Sequence, residues 1–127
     1  MMQIGFIGAY DKTDMILYIA KVLTILKKKV LIIDTTINQK ARYIVPAINP
    51  TLRYVTDFED IDVAVGFYSM EEIRQYLCLD ENQEMEYDIV LVDADNEKGI
   101  EGCDLINANK NYFVTAFDNY SLKKGLE

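Results

Sequence analysis

Gln3-Ile4-Gly5-Phe6-Ile7-Gly8-Ala9-Tyr10-Asp11-Lys12-Thr13 opens the chain's first organised stretch, and Val30-Leu31-Ile32-Ile33-Asp34 closes it. Between them, from Lys12 to Lys28, the residues Met15, Ile19, Val22, Leu23 and Leu26 recur at helical spacing and predict a helix with one apolar stripe. Gln3–Ile7 and Val30–Ile33 read as short buried strands. The order is therefore strand, loop, helix, strand. Two all-apolar strands joined by one helix predict a parallel pair covered on both faces.

The loop from Gly8 to Thr13 is similar to a phosphate-cradling loop, Gly-x-x-x-x-Gly-Lys-Thr. In that pattern glycines let consecutive backbone N–H groups converge on phosphate oxygens, the Lys adds a point charge and the hydroxyl binds Mg²⁺. Lys12 and Thr13 stand at the predicted helix start, where the dipole favours an anion. The pattern's glycine positions, counted back from Lys12, are Phe6 and Asp11. A carboxylate about 4 Å from a phosphate repels it by roughly 4 kcal/mol at an effective dielectric near 20. Asp11 also adds a Cβ where a glycine is free to take positive φ. The competing role for Asp11 is to cap the helix or pair with Lys12. Tyr10, at the mouth of the loop, is expected to fill the space a phosphate would occupy.

Composition narrows the function classes. The chain has 127 residues, half of them hydrophobic, enough for one core and one domain. A net charge of −8 argues against binding nucleic acid or an anionic membrane over the whole surface. Lys27-Lys28-Lys29 reads as a basic last turn that complements the helix dipole. With no histidine, triads, histidine metal ligands and imidazole switches are excluded. Cys78 and Cys103 lack metal-ligand spacing and read as ordinary thiols in a reducing, cytoplasmic setting. No signal peptide or membrane span is visible.

Further along, Thr35 to Pro50 is irregular or weakly helical, and Leu52–Phe58 and Ile61–Phe67 are each expected as strands. Ser69-Met70-Glu71-Glu72 is a capping box opening a helix that runs to about Leu79. Asp80–Glu86 is an acidic loop, Tyr87–Val92 a third buried strand ending at Asp93, and Asp95–Gly102 a polar turn. Tyr112–Phe117 is expected as a strand and Ser121 as the start of a helix. The alternation predicts an α/β fold with a doubly wound, mostly parallel sheet. Its ligands belong beyond the carboxyl ends of the strands, where Asp34, Asp93 and the loop share one rim. Asp57, Glu59, Asp60 and Asp62 form a second acidic group, read as a solvated turn in preference to a cation site.

Taken together, the loop at 6–13 and the strands ending at Asp34 and Asp93 resemble the ParA/MinD family of P-loop ATPases over nearly the whole chain. The family's Lys-Gly-Gly-x-Gly-Lys-Thr falls on Ile7-Gly8-Ala9-Tyr10-Asp11-Lys12-Thr13. Gly8, Lys12 and Thr13 match, whereas Ile7 replaces the signature lysine and Ala9 and Asp11 replace glycines. Thr36 stands where the family has a second aspartate, and Ala94-Asp95 where it has Thr-Pro. The resemblance implies a three-layer sandwich of P-loop NTPase type, bacterial and cytoplasmic. It also implies ATP and Mg²⁺ as ligands: Gly8, Asp11, Lys12 and Thr13 on nucleotide, Thr13, Asp34 and Asp93 on the metal. Asp34 would be the catalytic candidate if the protein is active. Family members continue through further elements, so the domain is expected to be truncated at its C-terminus or completed by another chain.

The expected function is that of a ParA/MinD-like protein with a degenerate nucleotide site. It would act as a regulatory, positioning or scaffolding module, through a protein partner or a homodimer, with no cofactor or a weakly held one. The alternatives are a weak ATPase that dimerises on nucleotide, and a receiver- or flavodoxin-like module whose rim aspartates (Asp34, Asp93, Asp95) bind Mg²⁺.

Overall fold

The computed structural model describes residues 1–44, 53–80 and 82–114, without the side chains of residues 43 and 44. In chain order the elements are β1 (Met2–Ile7), α1 (Thr13–Ile25), β2 (Val30–Asp34), α2 (Ala41–Ile44), β3 (Tyr54–Phe58), β4 (Ile61–Val65), α3 (Met70–Tyr76), β5 (Ile89–Ala94), α4 (Glu97–Gly102) and β6 (Lys110–Phe113), with a 3₁₀ turn at Leu105–Asn107 before β6. They build one six-stranded sheet in the order β3-β4-β2-β5-β1-β6. Every pairing is parallel except β3 with β4, which joins the edge of the sheet as an antiparallel hairpin. The fold is thus α/β with a mostly parallel sheet, as the strand–helix alternation predicts.

Side chains alternate across each strand, so one sheet has two cores. On the α1 face, Val30, Ile32, Val63, Val65, Phe6 and Leu91 pack under Ile16, Leu17 and Ala20. On the other face, Leu31, Ile33, Val90 and Val92 pack with Ile73, Cys103 and Leu105. β2 and β5 are buried at every position, which is why their sequences are unbroken apolar runs up to the terminal aspartates. Burial pushes the Cys103 thiol up to about 12, with the Glu72 carboxylate adding to the effect. No helix among the described residues is long and apolar enough to cross a membrane.

Three expectations are corrected. The buried side of α1 carries Thr13, Ile16, Leu17 and Ala20, with Ile19 and Leu23 packed along its margin. Met15, Val22 and Leu26, expected in the stripe against the core, are exposed. The helix is apolar on two opposite sides, so periodicity alone selected a mixture of both. Second, Lys27–Lys29 lie beyond the helix, not in its last turn. Lys27 takes φ 67°, its N–H bonds to Thr24 O and the Lys28 N–H bonds to Leu23 O, a Schellman end. Third, the polar turn at Asp95–Gly102 is mostly the helix α4, which Asn96 caps by accepting from the Gly99 N–H at 3.0 Å.

Other features are as expected. The Ser69 hydroxyl accepts from the Glu72 N–H at 3.1 Å and starts α3. The expected strand at Tyr112–Phe117 begins earlier, at Lys110. The part of that strand beyond residue 114 and the helix expected from Ser121 lie outside the described residues.

α3 also ends on a left-handed residue, Cys78, with φ 57°. A side chain is strained there and glycine is not. Cys78→Gly is therefore expected to stabilise the fold by about 0.5–1 kcal/mol, read as a higher urea midpoint at unchanged slope.

Candidate functional site

The rim at the carboxyl ends of the parallel strands is where the charged residues meet. Phe6, Asp93, Asp34 and Val65 are register partners in a row across β1, β5, β2 and β4. The two-residue alternation turns all four towards the α1 face. Two aspartates are thereby placed under the start of α1, in an otherwise apolar row.

Lys12 answers that charge. Its ammonium lies 2.6 Å from Asp93 Oδ1, and both side chains are almost wholly buried. The same ammonium donates to Gly8 O at 2.9 Å and to Tyr10 O at 3.4 Å. The lysine is thus folded back into its own loop. Burial raises Asp93 to about 6, against the pull of Lys12, with Asp34 and Asp95 adding repulsion.

The other candidates are similarly engaged. Asp11 Oδ1 accepts from the Thr13 N–H at 3.1 Å, so a carboxylate of the chain itself occupies the positive end of α1. The N-cap position itself is Lys12, with no side-chain cap bond; Asp11, one residue before it, holds the first helical N–H, and Asp93, not Asp11, is the partner of Lys12. Asp34 Oδ1 accepts from the N–H and hydroxyl of Thr36, at 2.9 and 2.5 Å, and Asp34 Oδ2 accepts from the Ala41 N–H at 2.9 Å. Asp34 thereby ties the turn after β2 to the start of α2. Asp95 accepts from the Ile37 N–H and from the Asn96 amide. Gly8 donates its N–H to Ala94 O, and a Cβ there would clash with Val114 O, so the close approach of the segment after β6 requires the glycine.

The cavity at the loop measures about 40 Å³ and is lined by Tyr10, Asp11, Thr13, Asn38, Lys40 and Asp95 among others. Sites for drug-sized ligands run from roughly 300 Å³ upward, and one water takes about 30 Å³ of liquid. Mg²⁺–ATP does not fit this arrangement, because the Lys12 ammonium and both Asp34 oxygens are committed to protein groups and the space is that of one small ion or water. One atom points the other way: the buried Thr13 hydroxyl borders the cavity with no hydrogen-bond partner among the described residues.

A cavity of about 700 Å³ lies at the opposite end of the sheet, against Lys27–Lys29, Asp57, Asp60, Asp62 and Tyr87. The acidic group there is spent locally. Asp62 accepts from the Tyr87 hydroxyl at 2.6 Å, Asp57 from the Asp60 N–H, and Glu59 pairs with Lys21 at 2.5 Å.

Sequence reasoning brought Asp34, Asp93, Lys12 and Thr13 to one rim correctly, but missed Thr36 and Ala41 as partners of Asp34. A local signal for Thr36 existed, since Asp commonly bonds to the backbone two residues on. The bond to Ala41 and the Lys12–Asp93 pair carry no such signal.

Removing one member of a buried pair strands the other charge, at about 3–5 kcal/mol. Lys12→Ala is expected to destabilise by that order, and Lys12→Met with Asp93→Asn to be more stable than Lys12→Ala, by urea unfolding. The Asp93 proton gives a second check. Its folded pKa lies above the unfolded value, so the folded chain holds the proton more tightly between about pH 4 and 6, and this group's contribution makes stability fall as pH rises through that window. Carboxyl ¹³C titration is expected to place the Asp93 midpoint near 6.

Among known proteins, no family model matches the chain, and no curated protein or solved structure matches it.

Proposed function

We propose that this chain is a ParA/MinD-like domain of P-loop type whose phosphate loop is closed on itself. It serves a larger assembly as a regulatory, positioning or scaffolding module, not as an efficient ATPase. The observation that carries the reading is the buried Lys12–Asp93 pair, with the remaining reach of the ammonium directed to Gly8 O and Tyr10 O. A phosphate at this loop has to displace those contacts and also the Asp11 carboxylate from the helix start. The parallel sheet, the loop at its rim, Asp34 at the end of β2 and Asp93 one residue before the end of β5 support the P-loop element of the proposal.

A second reading, a weak nucleotide-binding ATPase, is favoured by the unpartnered Thr13 hydroxyl. A receiver-like Mg²⁺ site has less support, since both Asp34 oxygens already accept N–H groups.

Calorimetric titration with ATP and Mg²⁺ separates the first two. The expected result is no binding tighter than about 100 μM, near −5.5 kcal/mol. Tighter binding that is lost on Thr13→Val overturns the proposal in favour of the ATPase. Thr13→Val is the informative variant because it removes the hydroxyl without stranding the Asp93 charge. Restoring glycine at Ala9 and Asp11 together is expected to improve binding relative to the natural loop.

A further inference from the structure

Tyr10 lines the cavity of about 40 Å³ at the start of α1, together with Thr13 and Asp93. Its hydroxyl is buried, as is that of Thr13, yet neither has a hydrogen-bond partner among the described residues. Thr13 is only 4% exposed and is the first residue of a helix of 13. Asp93 Oδ1 is a third such oxygen. It faces the Lys12 ammonium as an ion pair but accepts no well-aligned hydrogen bond. Buried polar groups are rarely left unmet, because leaving one so costs more than an ordinary hydrogen bond returns. Three of them around one small space call for an occupant.

Charge and volume select it. A cation entering the space meets the Lys12 ammonium, already 2.6 Å from Asp93 Oδ1, and Lys40 on the outer wall. An anion meets the carboxylates of Asp11, Asp93 and Asp95, which line the same cavity. A neutral group that both donates and accepts is repelled by neither set. The volume is that of water, which makes about three hydrogen bonds in such sites. The three oxygens supply that number. Two are hydroxyls, each with a proton to give, and the third is a carboxylate oxygen that only accepts.

We propose that Tyr10 latches the loop through one buried water, which accepts from the Tyr10 and Thr13 hydroxyls and donates to Asp93 Oδ1. The site takes water, and neither a metal ion nor an anion. Tyr10 is a positioning residue: through the water it is tied to the first residue of α1, on the far side of the Asp11 turn. The latch deepens the closed-loop reading and rests on it, but it is measured without nucleotide. Tight ATP binding therefore sinks that reading and leaves the water in the empty protein standing, whereas a dry cavity does the reverse.

A crystal structure of the whole chain that shows ordered solvent tests this directly. The expected result is one solvent peak about 3 Å from both Thr13 Oγ1 and Tyr10 Oη, unchanged after a Mn²⁺ soak or a bromide soak. A metal peak at about 2.1 Å from these oxygens, a bromide peak, a direct contact between the two hydroxyls, or no peak each overturns the proposal. Urea unfolding gives the energetic check. Thr13→Val and Tyr10→Phe are each expected to raise the unfolding constant about tenfold. Together they are also expected to raise it about tenfold, in place of the roughly hundredfold that independent groups give. Thr13→Ser keeps the hydroxyl and is expected to keep most of the stability. Additive losses, no loss at all, or a Thr13→Ser variant no better than Thr13→Val overturn the latch, since the two hydroxyls then act apart.

Discussion

The ammonium of Lys12 and the carboxylate of Asp93 meet out of water, and neither is tolerable there without the other. Their contact joins the first loop of the chain to the central strand β5. It fixes where α1 begins, because Lys12 immediately precedes the helix, and it fixes how the loop lies, because the ammonium also holds Gly8 O and Tyr10 O. Asp34 does for the next loop what the pair does for the first, through Thr36 and Ala41. A rim built this way is rigid through its own polar groups. The groups that an anion or a metal would use are the groups that shape the loops.

Much of the architecture was legible in the sequence. Gln3–Ile7 and Val30–Asp34 are apolar runs too short for helices, and their parallel orientation follows from that, but the expected pair of the two does not form: β5 lies between them, and β1 is only partly buried. Ser69 and Glu72 announced α3 through a cap whose bond is formed. Legibility ended where two signals overlapped. α1 has apolar residues on opposite sides, and a period of 3.6 fits subsets of both, so Met15 and Val22 were assigned to the core while Ala20, small but fully buried, was not. α4 was hidden because a helix of Glu97–Gly102 is too short to show periodicity and contains two glycines. Those glycines are needed by packing: a Cβ on Gly99 would meet Thr35, and one on Gly102 would meet Tyr68 O.

The site was legible as a set of residues but not as a set of bonds. Asp34 and Asp93 were placed together because each ends an apolar strand, and the register confirms their adjacency. What each oxygen accepts depends on loop paths that no local pattern encodes. Lys12 illustrates the limit. The neighbouring sequence offers Asp11 as its partner, yet the sheet offers Asp93, better placed by the register of Phe6 with Asp93. Tertiary position overrode sequence proximity, and in doing so freed Asp11 to accept the first N–H of α1.

The order β2-β5-β1 in the sheet bears on how the chain comes to be folded. β1 and β2 lie close in sequence but do not pair with each other; each pairs with β5, the strand that inserts between them. As the chain leaves the ribosome, β2 gains β4 as a neighbour once residue 65 is made, but β1 has no strand beside it until β5 is made. Closing that gap spans more than half the described chain, a long-range step of the kind that slows folding. The interval leaves the apolar β1 without a strand partner in a half-made protein. The strand β5 supplies both the central member of the sheet and the carboxylate that holds Lys12, so the bonds that shape the loop need the same strand that the core needs.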